Sequence, residues 1–274
     1  MSHARRESGG DRRRTTLSVL LVLAGGVIAA CGAAAQETGP TVVFPFADYR
    51  TESWYLPRSP GVCAGPVAGL FNPAAFAMTD KAGLDGWWRD PADGERANDW
   101  GLAFGRTLGF AMQSRHYGAG LATGEFNIKD YQLNLAVGGP HHTAGIGYRW
   151  SRGGVGQQTH EQVLSLGTIS RARSWLSFGA AGNLSLESPA AQYIFDVGIR
   201  PLGRDWVTLF GDWTVNDDQA FFTGGVFGAG LDVRPLQGLH LGGRLRERAT
   251  TGDLDYALYA SFALGDLGLT GVGQ

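Results

Sequence analysis

Residues 192–215 read QYIFDVGIRPLGRDWVTLFGDWTV, and this stretch decides the fold. In its first half, one parity carries large apolar side chains: Tyr193, Phe195, Val197 and Ile199. The other parity includes Asp196 and Arg200. Because alternate residues of a strand face opposite sides of a sheet, this period of two predicts a strand with one apolar and one polar face. A turn at 201–203 leads into a second alternating run at 207–215, so the two runs predict an antiparallel hairpin.

The same alternation recurs in about a dozen runs after residue 81, separated by turn residues. The predicted strand cores are 83–89, 99–105, 108–116, 129–137, 143–151, 161–170, 174–184, 191–200, 204–215, 224–234, 238–248 and 254–264. Two further segments, Thr41–Tyr49 and Leu267–Val272, would raise the count to 14 if both join. The pattern predicts an all-β fold, an antiparallel up-and-down barrel of about 12 strands, with 14 as the alternative.

Residues 1–35 have the layout of a secretory signal peptide. Arg12, Arg13 and Arg14 precede an apolar run at 17–30, and small residues follow. Two cleavage sites compete: Cys31 in a sequence that resembles the bacterial lipobox, which would make Cys31 a lipidation site, and an ordinary site after Ala35. The predicted organisation is a signal peptide at 1–35, an irregular segment with a short helix at 36–80, and a barrel at 81–274.

The charge composition of the chain argues against one class of partner, nucleic acid. Charged residues make up 18% of the 274 residues, below the quarter that is usual in soluble domains. Removing residues 1–35 takes away five Arg and two acidic residues, so the net charge of −2 becomes −5. A protein that binds nucleic acid needs a basic face, so no nucleic acid partner is predicted.

The alternation of apolar and polar residues does not by itself show whether the apolar face of each strand points into a core or into lipid. Strands of about 9–11 residues match a tilted crossing of a bilayer, and short turns alternate with longer loops. Aromatic residues also concentrate near strand ends, as in the girdles of membrane barrels: Trp100, Tyr131, Trp150, Trp175, Trp206, Trp213 and Tyr256. These features favour a transmembrane barrel in a bacterial outer membrane. A secreted soluble barrel stays as the alternative, since the charged parity could also face water.

The charged parity supplies the candidate functional residues. In a membrane barrel it would line the lumen, and the candidates are Arg149, Asp196, Arg200, Asp232, Arg234, Arg244 and Arg246. A charged headgroup could pair there with Arg200, Arg234 or Arg244. Upstream, Asn72 is a good helix N-cap and Pro73 suits the first helical position. This short helix could plug the lumen or pack beneath the barrel, and both interpretations remain open.

The run Phe71-Asn72-Pro73-Ala74-Ala75 resembles the Asn-Pro-Ala element near the mature N-terminus of outer-membrane proteins related to the long-chain fatty acid transporter. It is also similar to the barrel-like region that precedes the peptidase in some bacterial proteins identified as signal peptide peptidase A. The second similarity extends to 166–167, 175–180 and 196–203. The first resemblance implies a plug near Asn72, and the second implies a barrel associated with a peptidase.

The sequence contains no recognisable catalytic motif. No Gly-x-Ser-x-Gly nucleophile elbow occurs, and the adjacent His141 and His142 have no acidic or Cys partner at ligand spacing. The sequence therefore predicts no enzyme, no metal and no cofactor. It favours passive passage of small hydrophobic or amphipathic molecules, or a structural role in the outer membrane. The alternatives are a barrel that anchors a partner protein such as a peptidase, and a secreted soluble binding protein. Expected partners are outer-membrane lipid, a small hydrophobic ligand or a protein.

Overall fold

A computed structural model describes residues 45–89, 99–117, 126–154, 161–217, 219, 221, 224–247, 254–264 and 267–273. The predicted signal peptide at 1–35, with the predicted lipidation site Cys31, lies outside these residues. Within them the chain forms one antiparallel sheet of 13 strands, and each strand pairs with its neighbours in sequence. The all-β prediction and the up-and-down order are confirmed.

The strands have the following bounds: β1 Gly83–Trp88, β2 Trp100–Gly105, β3 Leu108–Tyr117, β4 Phe126–Gly138, β5 His142–Gly153, β6 Gln162–Arg173, β7 Leu176–Ser185, β8 Ala191–Ile199, β9 Val207–Asn216, β10 Val226–Leu236, β11 Leu239–Glu247, β12 Leu254–Leu264 and β13 Leu267–Gly273. The hairpin predicted at 192–215 is β8–β9, in which Gln192 lies opposite Asn216 and Ile199 opposite Leu209.

The predicted strand count was wrong, since the described chain has 13 strands rather than 12 or 14. The run at 267–272 forms β13, whereas the described part of the run Thr41–Tyr49, from residue 45 onward, contains no strand. Asp48 caps a short helix, α1 (Tyr49–Glu52), and its carboxylate accepts a hydrogen bond from the Arg50 amide. This cap favours a helical turn over an extended chain at that point. Residues 41–44 lie outside the described part.

An odd strand number has a consequence for the edges of the sheet. β1 and β13 run in the same direction, and each pairs on one side only. An antiparallel β1–β13 pair is therefore impossible, and the strand pairings within the described residues run from β1 to β13 as a series of hairpins.

The connections at one end of the sheet are mostly longer than those at the other end. The connections at one end span 89–99, 118–125, 154–161, 186–190, 217–225 and 248–253, and those at the other end span 106–107, 139–141, 174–175, 200–206, 237–238 and 265–266. The second set has two or three residues each, except 200–206, which has seven. We name the two ends of the sheet the long-loop end and the short-turn end. Gly238, in one of the two-residue turns, has φ of 83°, a conformation that favours glycine.

Residues 45–82, here named the interior segment, precede β1. They contain α1, a 3-10 turn at Pro66–Ala68 and a 3-10 helix at Pro73–Met78. Phe71 and Phe76 of this segment are fully buried, and they join a core that includes Trp87 and small inner residues such as Ala103 of the sheet. Within the described residues, no helix has the length and apolar character that a bilayer crossing requires.

Candidate functional site

The two faces of the sheet have opposite chemistry. On one face, large apolar side chains are exposed, as shown by Leu133 at 48% and Phe262 at 50%. On the other face, charged side chains are buried, and Arg149 and Asp232 are both at 0%. A soluble protein usually buries its apolar side chains and exposes its charged ones, because burying an unpaired charge is costly. The buried face of the sheet therefore carries the charged side chains, and its exposed face carries large apolar ones.

Aromatic residues lie on the exposed face towards both ends of the strands. Trp88 and Tyr256 are exposed towards the long-loop end, and Trp175 and Trp206 are exposed at the short-turn end. Four other aromatics predicted for the girdles are only partly exposed: Trp100, Tyr131, Trp150 and Trp213. Tyr131 and Trp150 stack across β4 and β5 with ring centroids 5.7 Å apart.

The interior segment covers the polar face and runs between the two ends of the sheet. Near the long-loop end, Gln192 accepts a hydrogen bond from the Tyr49 amide at 2.9 Å. Near the short-turn end, Arg171 donates to the carbonyl of Val62 at 3.1 Å. The segment then turns back, and Pro73 begins the 3-10 helix beside β5 and β6. The backbone of the interior segment supplies hydrogen-bond partners to several buried polar side chains of the sheet.

Arg149 shows how this wall binds the segment. Its Nη2 donates to the carbonyl of Leu70 at 2.9 Å and to Oδ1 of Asn183 at 3.3 Å. Its Nη1 donates to the carbonyl of Ala47 at 3.5 Å, and the guanidinium lies 5.9 Å from the centre of the Phe46 ring. One side chain of β5 thus joins two separate parts of the segment.

Arg244 and Arg246 of β11 do the same from the opposite side. Arg244 Nη1 donates to the carbonyl of Leu56 at 2.9 Å. Arg246 Nη1 donates to Oγ of Ser53 at 2.7 Å and to the carbonyl of Tyr49 at 3.2 Å. The sequence placed these arginines in the interior as candidates for a headgroup. In the structure their donors bind the chain's own backbone.

Of the remaining predicted residues, three have a hydrogen-bond or ion-pair partner, and one has neither among the described residues. Asp196 accepts a hydrogen bond from the Gly61 amide at 3.1 Å, and Asp232 bonds to Nδ1 of His240 at 2.9 Å. Arg234 forms an ion pair with Asp205. Arg200 is half-buried, and among the described residues its guanidinium has no hydrogen bond or ion pair.

Asn72 and Pro73 are buried against the inner wall. The Asn72 side chain accepts from the Ala74 amide at 3.1 Å and donates to the carbonyl of Thr168 at 3.3 Å. Two glycines permit this approach. A Cβ on Gly145 would lie 2.5 Å from the carbonyl carbon of Pro73, and one on Gly167 would lie 2.1 Å from the Asn72 side-chain oxygen.

Sequence reasoning missed the most completely paired charge in the interior. Asp130 of β4 accepts from Nε of Arg115 at 2.7 Å, from Gln113 at 3.0 Å and from Ser151 at 2.7 Å. The sequence pattern could have predicted this pair, because Arg115 and Asp130 occupy the polar parity of consecutive strands. Nearby in α1, burial raises the pKa of Glu52 to about 7, although the charge of Arg115 opposes this shift.

Within the described residues, His, Cys, Asp and Glu side chains form no group of three or more that could hold a metal ion. A scan against models of known protein families finds no match, and a search of curated proteins finds no similar chain. The resemblances carried by 71–75 and by the strand motifs stay predictions.

Proposed function

We propose that this chain is an outer-membrane β-barrel protein whose interior is occupied by its own N-terminal segment. The observation that supports this proposal is the pairing of an exposed apolar face with a buried charged face. In a bilayer the apolar face contacts acyl chains, and the charged face is kept from lipid. The two aromatic zones and the alternation of short turns and longer loops point the same way.

The function favoured for such a protein is passive passage of a small amphipathic molecule rather than of bulk water. The interior segment occupies the path that hydrophilic solutes would need, and Arg149, Arg244 and Arg246 hold its backbone. A molecule with an apolar tail and a small headgroup could instead move along the margin between the segment and the wall.

A second candidate is a non-transporting barrel that anchors a partner protein. It is favoured by the same hydrogen bonds, because a segment bonded to both sides of the wall leaves little room for passage. The peptidase suggested by the resemblance would be one such partner.

Two measurements test these proposals. A folded membrane barrel extracted by detergent from an outer-membrane fraction should migrate differently on a gel before and after boiling. Recovery of folded chain without detergent would contradict the membrane proposal and favour a secreted soluble protein. Liposomes that contain the folded chain should admit an amphipathic dye and exclude a charged sugar. Exclusion of both, with co-purification of a protein partner, would favour the anchor.

A further inference from the structure

Three arginines converge at the short-turn end of the interior. Arg58 belongs to the interior segment, Arg171 lies near the end of β6, and Arg200 directly follows β8. We name them the arginine cluster. Each comes from a different part of the chain, so no run of basic residues marks this place in the sequence.

The turn at 59–63 directly follows Arg58 and contacts both Arg171 and the end of β8. Arg171 Nη2 donates to the carbonyls of Val62 at 3.1 Å and Cys63 at 3.4 Å, and Cys63 Sγ donates to the carbonyl of Arg58 at 3.3 Å. The side chain of Val62, in the same turn, also packs closely against the backbone of β8. A Cβ on Gly198, two residues before Arg200, would lie 2.5 Å from the Val62 side chain.

Carboxylates near the cluster already have other partners. Asp232 lies 3.9 Å from Arg58 Nη1, but its two oxygens bond to His240 at 2.9 Å and to Tyr259 at 2.8 Å. Asp196 accepts from the Gly61 amide through Oδ2, whereas its buried Oδ1 has no hydrogen-bond partner among the described residues, and Asp205 pairs with Arg234. The positive charge of the cluster is therefore only partly balanced.

Unsatisfied donors mark the same place. In the described part of the chain, the buried Nε atoms of Arg58 and Arg171 have no hydrogen-bond partner. Arg200 keeps its guanidinium half-exposed, and burial together with the positive charge of Arg58 lowers the pKa of Arg200. Buried donors in native proteins are nearly always satisfied, so such atoms call for a water or an ion.

We propose that the arginine cluster is a binding site for a carboxylate or phosphate anion, in which Arg200 and Arg171 contact the ligand and Arg58 supplies charge from behind. Planar guanidinium groups suit both anions, because each presents parallel N–H donors to a pair of oxygens. The anion could be free in solution or the headgroup of an amphiphile. The site goes beyond the proposed membrane role and does not depend on it.

Calorimetric titration of the folded full-length chain in non-ionic detergent at low salt tests the proposal. Phosphate, acetate and octanoate are the probes. Saturable binding of at least one of them is expected, and Arg200→Gln should weaken it at least tenfold. Octanoate binding well above acetate binding would identify an amphiphile headgroup, whereas equal binding, or phosphate binding, would identify a free anion.

The matched control is Arg173→Gln, since Arg173 is exposed at the end of the same strand as Arg171. Its affinity should stay within twofold of the wild type. Arg200→Gln removes no side-chain hydrogen bond or ion pair of the described residues, so the variant should fold, and gel mobility before boiling verifies this. The absence of saturable binding by the wild type, or undiminished binding by folded Arg200→Gln, would overturn the site. Neither result would bear on membrane residence, which detergent extraction tests separately.

Discussion

At the scale of single residues, buried charge is stabilised in two ways. Asp130 and Arg115 neutralise each other through two hydrogen bonds, at 2.7 and 3.1 Å. Arg149 instead donates to backbone carbonyls and to an amide oxygen. Removing one member of a buried ion pair is strongly destabilising because the other charge is left alone in a medium of low dielectric. The Asp130 pair is therefore the most sensitive polar point in the interior.

Asp130→Asn should lower the free energy of unfolding by about 3–5 kcal/mol, because buried Arg115 loses the carboxylate that it bonds directly and keeps the more distant Glu52, at 4.0 Å. Urea unfolding followed by tryptophan fluorescence measures the change. Asp80→Asn is the control, since Asp80 is exposed and its replacement should cost less than about 0.5 kcal/mol. Equal stability of the two variants would show that the pair contributes little.

Glu52 gives the interior segment a pH dependence. Burial raises its pKa to about 7, whereas a Glu in an unfolded chain titrates near about 4.3. The folded state thus holds the proton more tightly, so the contribution of Glu52 to stability is present below about pH 4.3 and is lost as the pH rises to about 7. Asp48, Asp99 and Asp130 add to this shift, and Arg115 opposes it.

Glu52→Gln cannot ionise, so it should gain stability over the wild type as the pH rises from 4.5 to 8. The gain should be on the order of 2–3 kcal/mol. Unfolding curves recorded across that range measure it. Glu187→Gln, at an exposed position, serves as the control and should follow the wild-type curve. A constant difference between Glu52→Gln and the wild type at all pH values would disprove the shift.

At the scale of elements, the sequence predicted the strands well and the interior segment poorly. Period two is a local property, so Gln192–Ile199 and its partner strand were evident from their own residues. The helix after Asn72 was also local, because a cap and a proline at the first position suffice. The path of the segment depends on contacts over more than a hundred residues, such as that of Tyr49 with Gln192, and no local pattern encodes such contacts.

The site was predictable only in part for the same reason. Alternation put Arg149, Arg244 and Arg246 on the inner face, but it could not show that backbone carbonyls of the segment occupy their donors. Arg171 was missed because a register shift between Ser170 and Arg173 disturbs the alternation at the end of β6. β13 was only an alternative, because four of its seven residues are Gly or Thr and carry little apolar signal.

Gly145 tests whether the 3-10 helix needs the close approach to β5. Gly145→Ala would place a Cβ 2.5 Å from the carbonyl carbon of Pro73, where a backbone shift is required. Overpacking of this kind costs about 1–3 kcal/mol, and limited proteolysis should cut the interior segment faster. Gly271→Ala is the control because open space surrounds that position. Unchanged proteolysis in Gly145→Ala would mean that the helix can move away without loss.

At the scale of the whole molecule, the buried and exposed faces distinguish a bilayer from water. Leu133 lies near the middle of β4 on the exposed face, whereas Leu236 ends β10 at the short-turn end and is 68% exposed. In water, an exposed leucine can become arginine with a change of less than about 0.5 kcal/mol at either position. In a bilayer the cost depends on depth, at about 2–4 kcal/mol near the midplane and about 0–1 kcal/mol near the interface.

Leu133→Arg should therefore lower the free energy of unfolding from lipid bilayers by about 2–4 kcal/mol, and Leu236→Arg by at most about 1 kcal/mol. Reversible unfolding of the chain in phospholipid vesicles, with guanidinium as denaturant, gives both values. Leu133→Gln separates the effect of charge from the loss of apolar area, and it should fall between the wild type and Leu133→Arg. If Leu133→Arg and Leu236→Arg lose equally little stability, the exposed leucines face water, and the exposed apolar face needs a protein partner rather than lipid to cover it.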